Sequence, residues 1–294
     1  MARQQLRRTQ AALLDARVAL GQWISSALHV LEAPATLSDQ SVHAVRKDLK
    51  RARAALRLLR DAIGDAAYAR ENAALRDASR PLAPLRDARV SLDTVRSLLK
   101  GEKDPQRRAL LVGESRALRA ERKAVRAAAG DARERQELAR ALQQVSERAG
   151  RWRLPREVWP VVREGIERIY RKGRKALGNA QSRPTDANLH EARKQVKYLG
   201  AAMQILAAAH ARRAERLAAR ADSIAERLGD DHDLALVQRR IAGVPRQRGN
   251  ALVNDVKQRR KTLQKRALQR AHRLYRRKPA RFLHRLERSP TSGP

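Results

Sequence analysis

The sequence predicts an all-α protein, on three observations. Apolar residues recur at three- and four-residue spacing almost from end to end, the period of a helix that buries one face. Aromatic residues make up only 3% of the chain while hydrophobic residues as a whole reach 42%, so the core must be built from Leu, Ala and Val. Breaks in the pattern fall at Pro, Gly and short polar clusters, and no stretch carries the alternation of a strand or hairpin.

The elements follow from that punctuation. Helices are expected at roughly 3–32 and 39–63, divided at Ala33-Pro34, and at roughly 65–80 and 84–100, divided at Arg80-Pro81. The break from Gly101 to Pro105 sets off a helix at roughly 105–129, followed by one at roughly 131–149. Leu154-Pro155 opens a helix at roughly 155–178, and the polar break from Gly178 to Pro184 precedes roughly 186–208, 210–228, 232–243 and 249–287. Residues 289–294, Ser289 to Pro294, read as a disordered tail.

Charge narrows the function. The 294 residues hold 66 Lys+Arg against 31 Asp+Glu, a formal charge of +35. Such an excess repels itself and costs folding stability unless an anion compensates. So charged a chain could be disordered, but the helical periodicity argues against that. Arg outnumbers Lys several-fold, which suits planar, bidentate phosphate contacts and equally follows from GC-rich coding. With no cysteine, a disulfide framework and thiolate metal sites are excluded. No run of about 18 apolar residues is present, and the opening Met1 to Arg8 lacks the apolar stretch of a signal peptide. The expected address is the cytoplasm, with no membrane partner.

The most informative feature is an internal repeat. His43-Ala44-Val45-Arg46-Lys47-Asp48-Leu49-Lys50 matches His190-Glu191-Ala192-Arg193-Lys194-Gln195-Val196-Lys197, both reading His-x-x-Arg-Lys-x-apolar-Lys. A second pair follows in the same order. Leu82 to Val90, carrying Arg86-Asp87, lies against Leu228 to Leu236, carrying His232-Asp233. Two landmarks about half a chain apart indicate duplication into related helical halves, 1–150 and 151–288, with a hinge near Gly150 to Pro155.

On a helix turning about 100° per residue, His43, Arg46, Lys47, Lys50, Arg53 and Arg57 share one face, and Val45, Leu49, Ala52, Leu56 and Leu59 another. The second copy repeats this, with His190, Arg193, Lys194 and Lys197 on one stripe and Leu189, Ala192, Val196, Leu199 and Met203 on the other. Like charges a turn apart destabilise a helix. A single such row is usually a solvated face, whereas a row repeated at matched spacing suggests use of the charge on repeated phosphates. His43 and His190 fall near helix starts, where free N–H groups favour anions. Arg171 and Lys175, in the basic stretch before the second copy, are further ligand candidates, and the last helix adds many cations that sequence cannot sort into groove and outer surface. Asp87 and Asp233 are supporting candidates that would orient Arg86, His232 or another neighbouring cation, or else cap a helix.

The paired His-x-x-Arg-Lys-x-x-Lys helices and the Leu-x-x-x-Arg/His-Asp-x-x-Val/Leu segments resemble the CHAD family, the conserved histidine α-helical domain, over nearly the whole chain. The resemblance implies two four-helix bundles related by a pseudo-twofold axis with a basic cavity between them. It also implies a binder of inorganic polyphosphate that associates with polyphosphate granules without hydrolysing it, using no cofactor. By position, His43, Arg46, Lys47, Lys50, His190, Arg193, Lys194 and Lys197 would be the central ligands. One departure stands out: Tyr198-Leu199-Gly200 replaces the basic continuation Arg51-Ala52-Arg53, which shortens the second stripe. The Glu-x-Glu-x-Lys signature of the triphosphate tunnel domain often fused to the family is absent.

Two rival readings compete. Nucleic acid is the second-choice partner, since phosphate contacts dominate such binding, but one Phe, four Tyr and three Trp leave few stacking platforms. A metal-dependent phosphohydrolase of the HD type would need His210, His232-Asp233 and Asp255 as ligands. The repeat argues against it, because Arg86-Asp87 stands where the dyad would be and Arg does not ligate metals. No catalytic or metal-ligating residue is therefore assigned.

Overall fold

The computed structural model describes residues 2–34, 37–128, 132–155, 159–243 and 247–287, with side chains at all of them except 2–15, 128, 208–211 and 247–249. The tail expected to be disordered, Ser289 to Pro294, lies outside the described residues. All the regular structure among them is helical. The helices are α1 (Ala2–Glu32), α2 (Asp39–Ile63), α3 (Asp65–Ala78), α4 (Ala83–Gly101), α5 (Pro105–Ala128), α6 (Ala132–Gly150), α7 (Trp159–Ser182), α8 (Asp186–Ala242), α9 (Gln247–Tyr275) and α10 (Pro279–Glu287).

Two departures from the expected elements have clear causes. The expected single helix over 249–287 is two, because Pro279 has no amide hydrogen to donate and its ring clashes with the preceding turn; the chain restarts there as α10. Conversely, the three helices expected between 186 and 243 form one continuous helical run, α8. That run is not straight. The rings of His190 and His232 lie 5.3 Å apart, whereas a straight helix of 1.5 Å rise would separate them by roughly 60 Å. Gln204 donates to Asp222 at 3.1 Å, and Arg193 to the carbonyl of Ala225 at 3.3 Å. The run therefore doubles back between Gln204 and Asp222 into two antiparallel arms. Gly229, expected to break the helix, instead stays helical and buried. A Cβ there would come within 2.9 Å of the Arg193 guanidinium, so glycine serves the close approach of the arms.

The apolar stripes of the two repeated helices are both buried as expected. Val45, Leu49, Ala52, Leu56 and Leu59, and Leu189, Ala192, Val196, Leu199 and Met203, are each at most 2% exposed. They belong to one core that runs from Ala16 on α1 to Leu286 on α10. A second, smaller core joins Leu92 and Val95 of α4, Leu111 and Leu118 of α5, Val237 and Ile241 of α8 and Leu252 of α9. The α6 end and the expected hinge are tied to α1, where Arg17 donates to the carbonyls of Gly150 (2.7 Å) and Trp152 (3.3 Å).

Close contact between α2 and α7 positions the site described next. Gly165 of α7 lies against the backbone of Leu58, so that an added Cβ would sit 3.0 Å from the Leu58 carbonyl oxygen and 3.1 Å from its Cα. Backbone cannot give way as a side chain can. Gly165→Ala is expected to lower stability by about 1–3 kcal/mol through overpacking, read as a lowered midpoint in chemical denaturation; an unchanged midpoint would contradict this contact.

Candidate functional site

Each repeated helix starts with the same device. Ser38 caps α2 by accepting from the amide of Ser41 at 3.0 Å, and Thr185 caps α8 by accepting from the amide of Asn188 at 3.2 Å. Five residues after each cap come His43 and His190. The arginine of each copy then reaches the chain just before the second landmark: Arg46 donates to the carbonyl of Ser79 at the end of α3 at 2.9 Å, and Arg193 to that of Ala225 on the second arm of α8. The motif arginines are thus anchored, and the buried Nε of Arg46 has no hydrogen-bond partner.

With the arms so placed, the cations of the two copies influence one another strongly. Burial and then the Lys197 ammonium, followed by Arg46, Arg193 and Arg86, push Lys50 down to about 7. Burial and Arg193 bring Lys197 down to about 8, partly offset by Asp233 and Asp222. Lys50 nonetheless remains exposed to solvent, as does His43. His43 is lowered by burial and then by Arg86, Lys47, Lys50 and Lys197. His190 is lowered by burial and then by His232 and Arg193, and His232 by burial and then Arg193.

The second landmarks are cross-placed. Arg86, from the first half of the chain, acts on Asp233, and Asp87 acts on His232 from the second half. Asp233 is raised, with burial the largest cause and Arg193 opposing it. Asp87 also supports the charge of Arg46, and Asp233 that of Arg193. The two carboxylates therefore lie near enough to the cations of the site to act on their charge.

A cavity of about 540 Å³ opens beside this centre, between α2, α7 and the first arm of α8. Arg53, Arg57, Arg60, Arg168, Lys172, Lys175 and Lys194 line it, against a single carboxylate, Glu191, and with Tyr68 and Tyr198. Arg53 donates to Asn72 at 3.1 Å. The Arg57 guanidinium lies 3.7 Å over the Tyr198 ring and donates to the carbonyl of Arg53 at 2.7 Å. Arg168 is held by Asp61 at 2.7 Å and by the carbonyl of Arg57 at 3.1 Å. Lys194 pairs with Glu191.

The candidates therefore divide between two adjoining places. His43, Arg46, Lys50, His190, Arg193 and Lys197 surround the centre with Arg86, Asp87, His232 and Asp233; Arg53, Arg57, Lys175 and Lys194 line the cavity. Lys47 is exposed on the rim, close enough to act on His43. Arg171 does not line the cavity; it is exposed and paired with Glu167 at 2.5 Å. Sequence reasoning missed Arg60, Tyr68 and Tyr198. Arg60 simply continues the row one turn beyond Arg57, whereas Tyr198, read as a loss of charge, supplies the ring on which Arg57 rests.

Among the described residues no group of His, Cys, Asp and Glu is arranged to hold a metal ion. Of the rival metal set, Asp255 is occupied by Arg107 at 2.5 Å, the side chain of His210 lies outside the described residues, and His232-Asp233 sits among arginines. No described helix is long and apolar enough to cross a membrane.

No curated protein matches the chain. The family model described as CHAD domain matches residues 15–242, which includes both histidine motifs and both second landmarks and ends before α9. The chain therefore belongs to the CHAD family.

Proposed function

We propose that this protein binds inorganic polyphosphate in a basic groove between two duplicated helical halves, and that it attaches to polyphosphate granules in the cytoplasm through that contact. The observation that carries this reading is the surroundings of Lys50: its strongest neighbours, Lys197, Arg46, Arg193 and Arg86, are all cations. A concavity that holds cations against one another, contributed by both halves, stores repulsion that a string of phosphates relieves. The matched caps, the paired Arg-to-carbonyl contacts and the cross-placed Arg86–Asp233 and His232–Asp87 support the duplication and a pseudo-twofold relation of the halves. The ligands in this reading are His43, Arg46, Lys47, Lys50, Arg53, Arg57, Lys175, His190, Arg193, Lys194 and Lys197, with Arg171 as a peripheral contact.

A competition titration at equal phosphate concentration tests the ligand class. Long-chain polyphosphate should displace duplex DNA, and raising salt from about 50 to 200 mM should weaken polyphosphate binding by roughly 10³-fold, as for a ligand making six or more phosphate contacts. Preference for DNA would instead favour the nucleic-acid reading, and salt-insensitive affinity would rule out an electrostatic groove.

A further inference from the structure

The structure sorts the cations of the last helices into those that face inward and those that do not. From Val256 to Leu286 the sequence holds thirteen Lys and Arg and no Asp or Glu, its longest stretch without a carboxylate. The family match ends before it. On α9, Arg260 turns inward to Asp231, Asp186 and Gln238. Arg259 and Arg270 border the second arm of α8, where Arg259 acts on Asp230 and Arg270 donates to the Ser223 hydroxyl at 3.2 Å. Lys257, Lys261, Lys265, Arg266 and Arg273 are exposed, and none shares an ion pair with a carboxylate among the described residues. The one carboxylate of α9, Asp255, is held by Arg107.

These five cations occupy the half of α9 opposite its buried Val256, Ala267, Ala271 and Leu274, over a length of about 24 Å. Lys257, Lys261 and Lys265 rise in steps of about 6 Å, inside the screening length of about 8 Å at physiological salt, so their fields add along the helix. Gln258, Thr262 and Gln269 interleave them with neutral hydrogen-bond donors. No large apolar side chain is exposed on α9 among the described residues. The face therefore lacks both the apolar side with which a helix lies in a membrane and the aromatic anchor of a protein interface. It suits a phosphate chain.

The face is also separate from the groove. None of its residues lines the cavity or ranks among the groups that act most strongly on Lys50 and Lys197. The buried side of α9 packs on α7 and α8, the helices that wall the cavity, so the five cations point the other way.

We propose that the outer face of α9 is a second polyphosphate-binding surface, so that one protein molecule grips two polyphosphate segments and cross-links long chains. This rests on the polyphosphate reading and adds a second contact to it. A long chain offers many segments and is gathered into a network by divalent proteins, whereas a short chain fills one site without joining another.

The test compares the full-length protein with two variants at about 0.15 M ionic strength, with helicity checked by circular dichroism. The first carries Lys265→Gln, Arg266→Gln and Arg273→Gln. The second makes the same change in charge at exposed cations of α5, Arg116→Gln, Arg119→Gln and Lys123→Gln. Light scattering with long-chain polyphosphate reads cross-linking, and calorimetry with a short chain reads groove affinity. The α9 variant is expected to keep its short-chain affinity while scattering falls by about tenfold or more, the loss of one of two linked contacts. The α5 variant should scatter as the unmodified protein does. An α9 variant that scatters undiminished, or an α5 variant that loses as much, would overturn the second surface while leaving groove binding intact. Absence of binding to either chain by the unmodified protein would overturn the polyphosphate reading itself. Loss of duplex-DNA binding by the α9 variant, with polyphosphate cross-linking kept, would assign the face to nucleic acid and overturn the proposal.

Discussion

Replacing both Lys50 and Lys197 by glutamate is expected to weaken polyphosphate binding by roughly 10²- to 10⁴-fold with helicity unchanged. The magnitude follows from losing two charge-assisted contacts worth about 1.5–3 kcal/mol each. Extending the reversal to Lys47 and Lys194 should abolish binding. The four do not weigh equally: Lys50 and Lys197 face each other at the centre, Lys194 is shared with Glu191, and Lys47 stands on the rim. Unchanged affinity of the Lys50, Lys197 pair variant in a titration would count against the groove.

The same lysines should trade stability against binding. The folded state holds Lys50 at about 7 instead of its usual 10.5, so between those values the unfolded chain binds more protons and the free protein gains stability as pH rises. The folded protein bears more of the ammonium's repulsion as pH falls through 7, and all of it well below that value. Lys50→Met, which keeps the stem and removes the charge, is therefore expected to raise the melting temperature at pH 7 while lowering polyphosphate affinity. A single substitution that moved both in the same direction would contradict the stored-repulsion account.

The second large effect is on pH. Lys50 and Lys197 titrate near 7 and 8 in the free protein, and burial and neighbouring cations hold His43, His190 and His232 below their usual value. A bound polyanion favours the charged form of every one of these groups, so binding takes up protons and affinity must rise as pH falls. Above pH 8 both lysines are largely neutral in the free protein, and the affinity is expected to change by up to about 10²-fold per pH unit. Below pH 7 the lysine contribution should fade as both ammoniums charge before ligand arrives, leaving the three histidines to carry the remaining proton uptake. Calorimetry at pH 8 in buffers of differing ionisation enthalpy measures the uptake directly; proton release on binding would overturn the assignment of these groups to the site.

Much of this was legible in the sequence because it depends on local chemistry. The period of the apolar residues determines which face of α2 and of the first arm of α8 is buried, and all ten residues expected there are buried. Proline positions announced most helix ends, since a missing N–H acts within one turn. They did not mark the end of α9, where a helix was read straight through Pro279. The His-x-x-Arg-Lys-x-x-Lys motifs, spaced by the helical repeat, placed their cations on one stripe without any knowledge of partners.

What the sequence by itself determined was the helical class, the buried stripes, the excess of positive charge and the doubled motif that places the chain in its family. Only the tertiary structure decided that α8 doubles back, that Arg86 comes near enough to act on Asp233 and Asp87 on His232, and that Tyr198 underlies Arg57. It also decided that Arg171 pairs with Glu167 away from the cavity. The reason is physical. Helix formation and facing are set by hydrogen bonds and side chains within a few residues, whereas the charge of a groove is a sum over residues far apart in the chain. Lys50 is an ordinary lysine until α8 brings Lys197 and Arg193 to it.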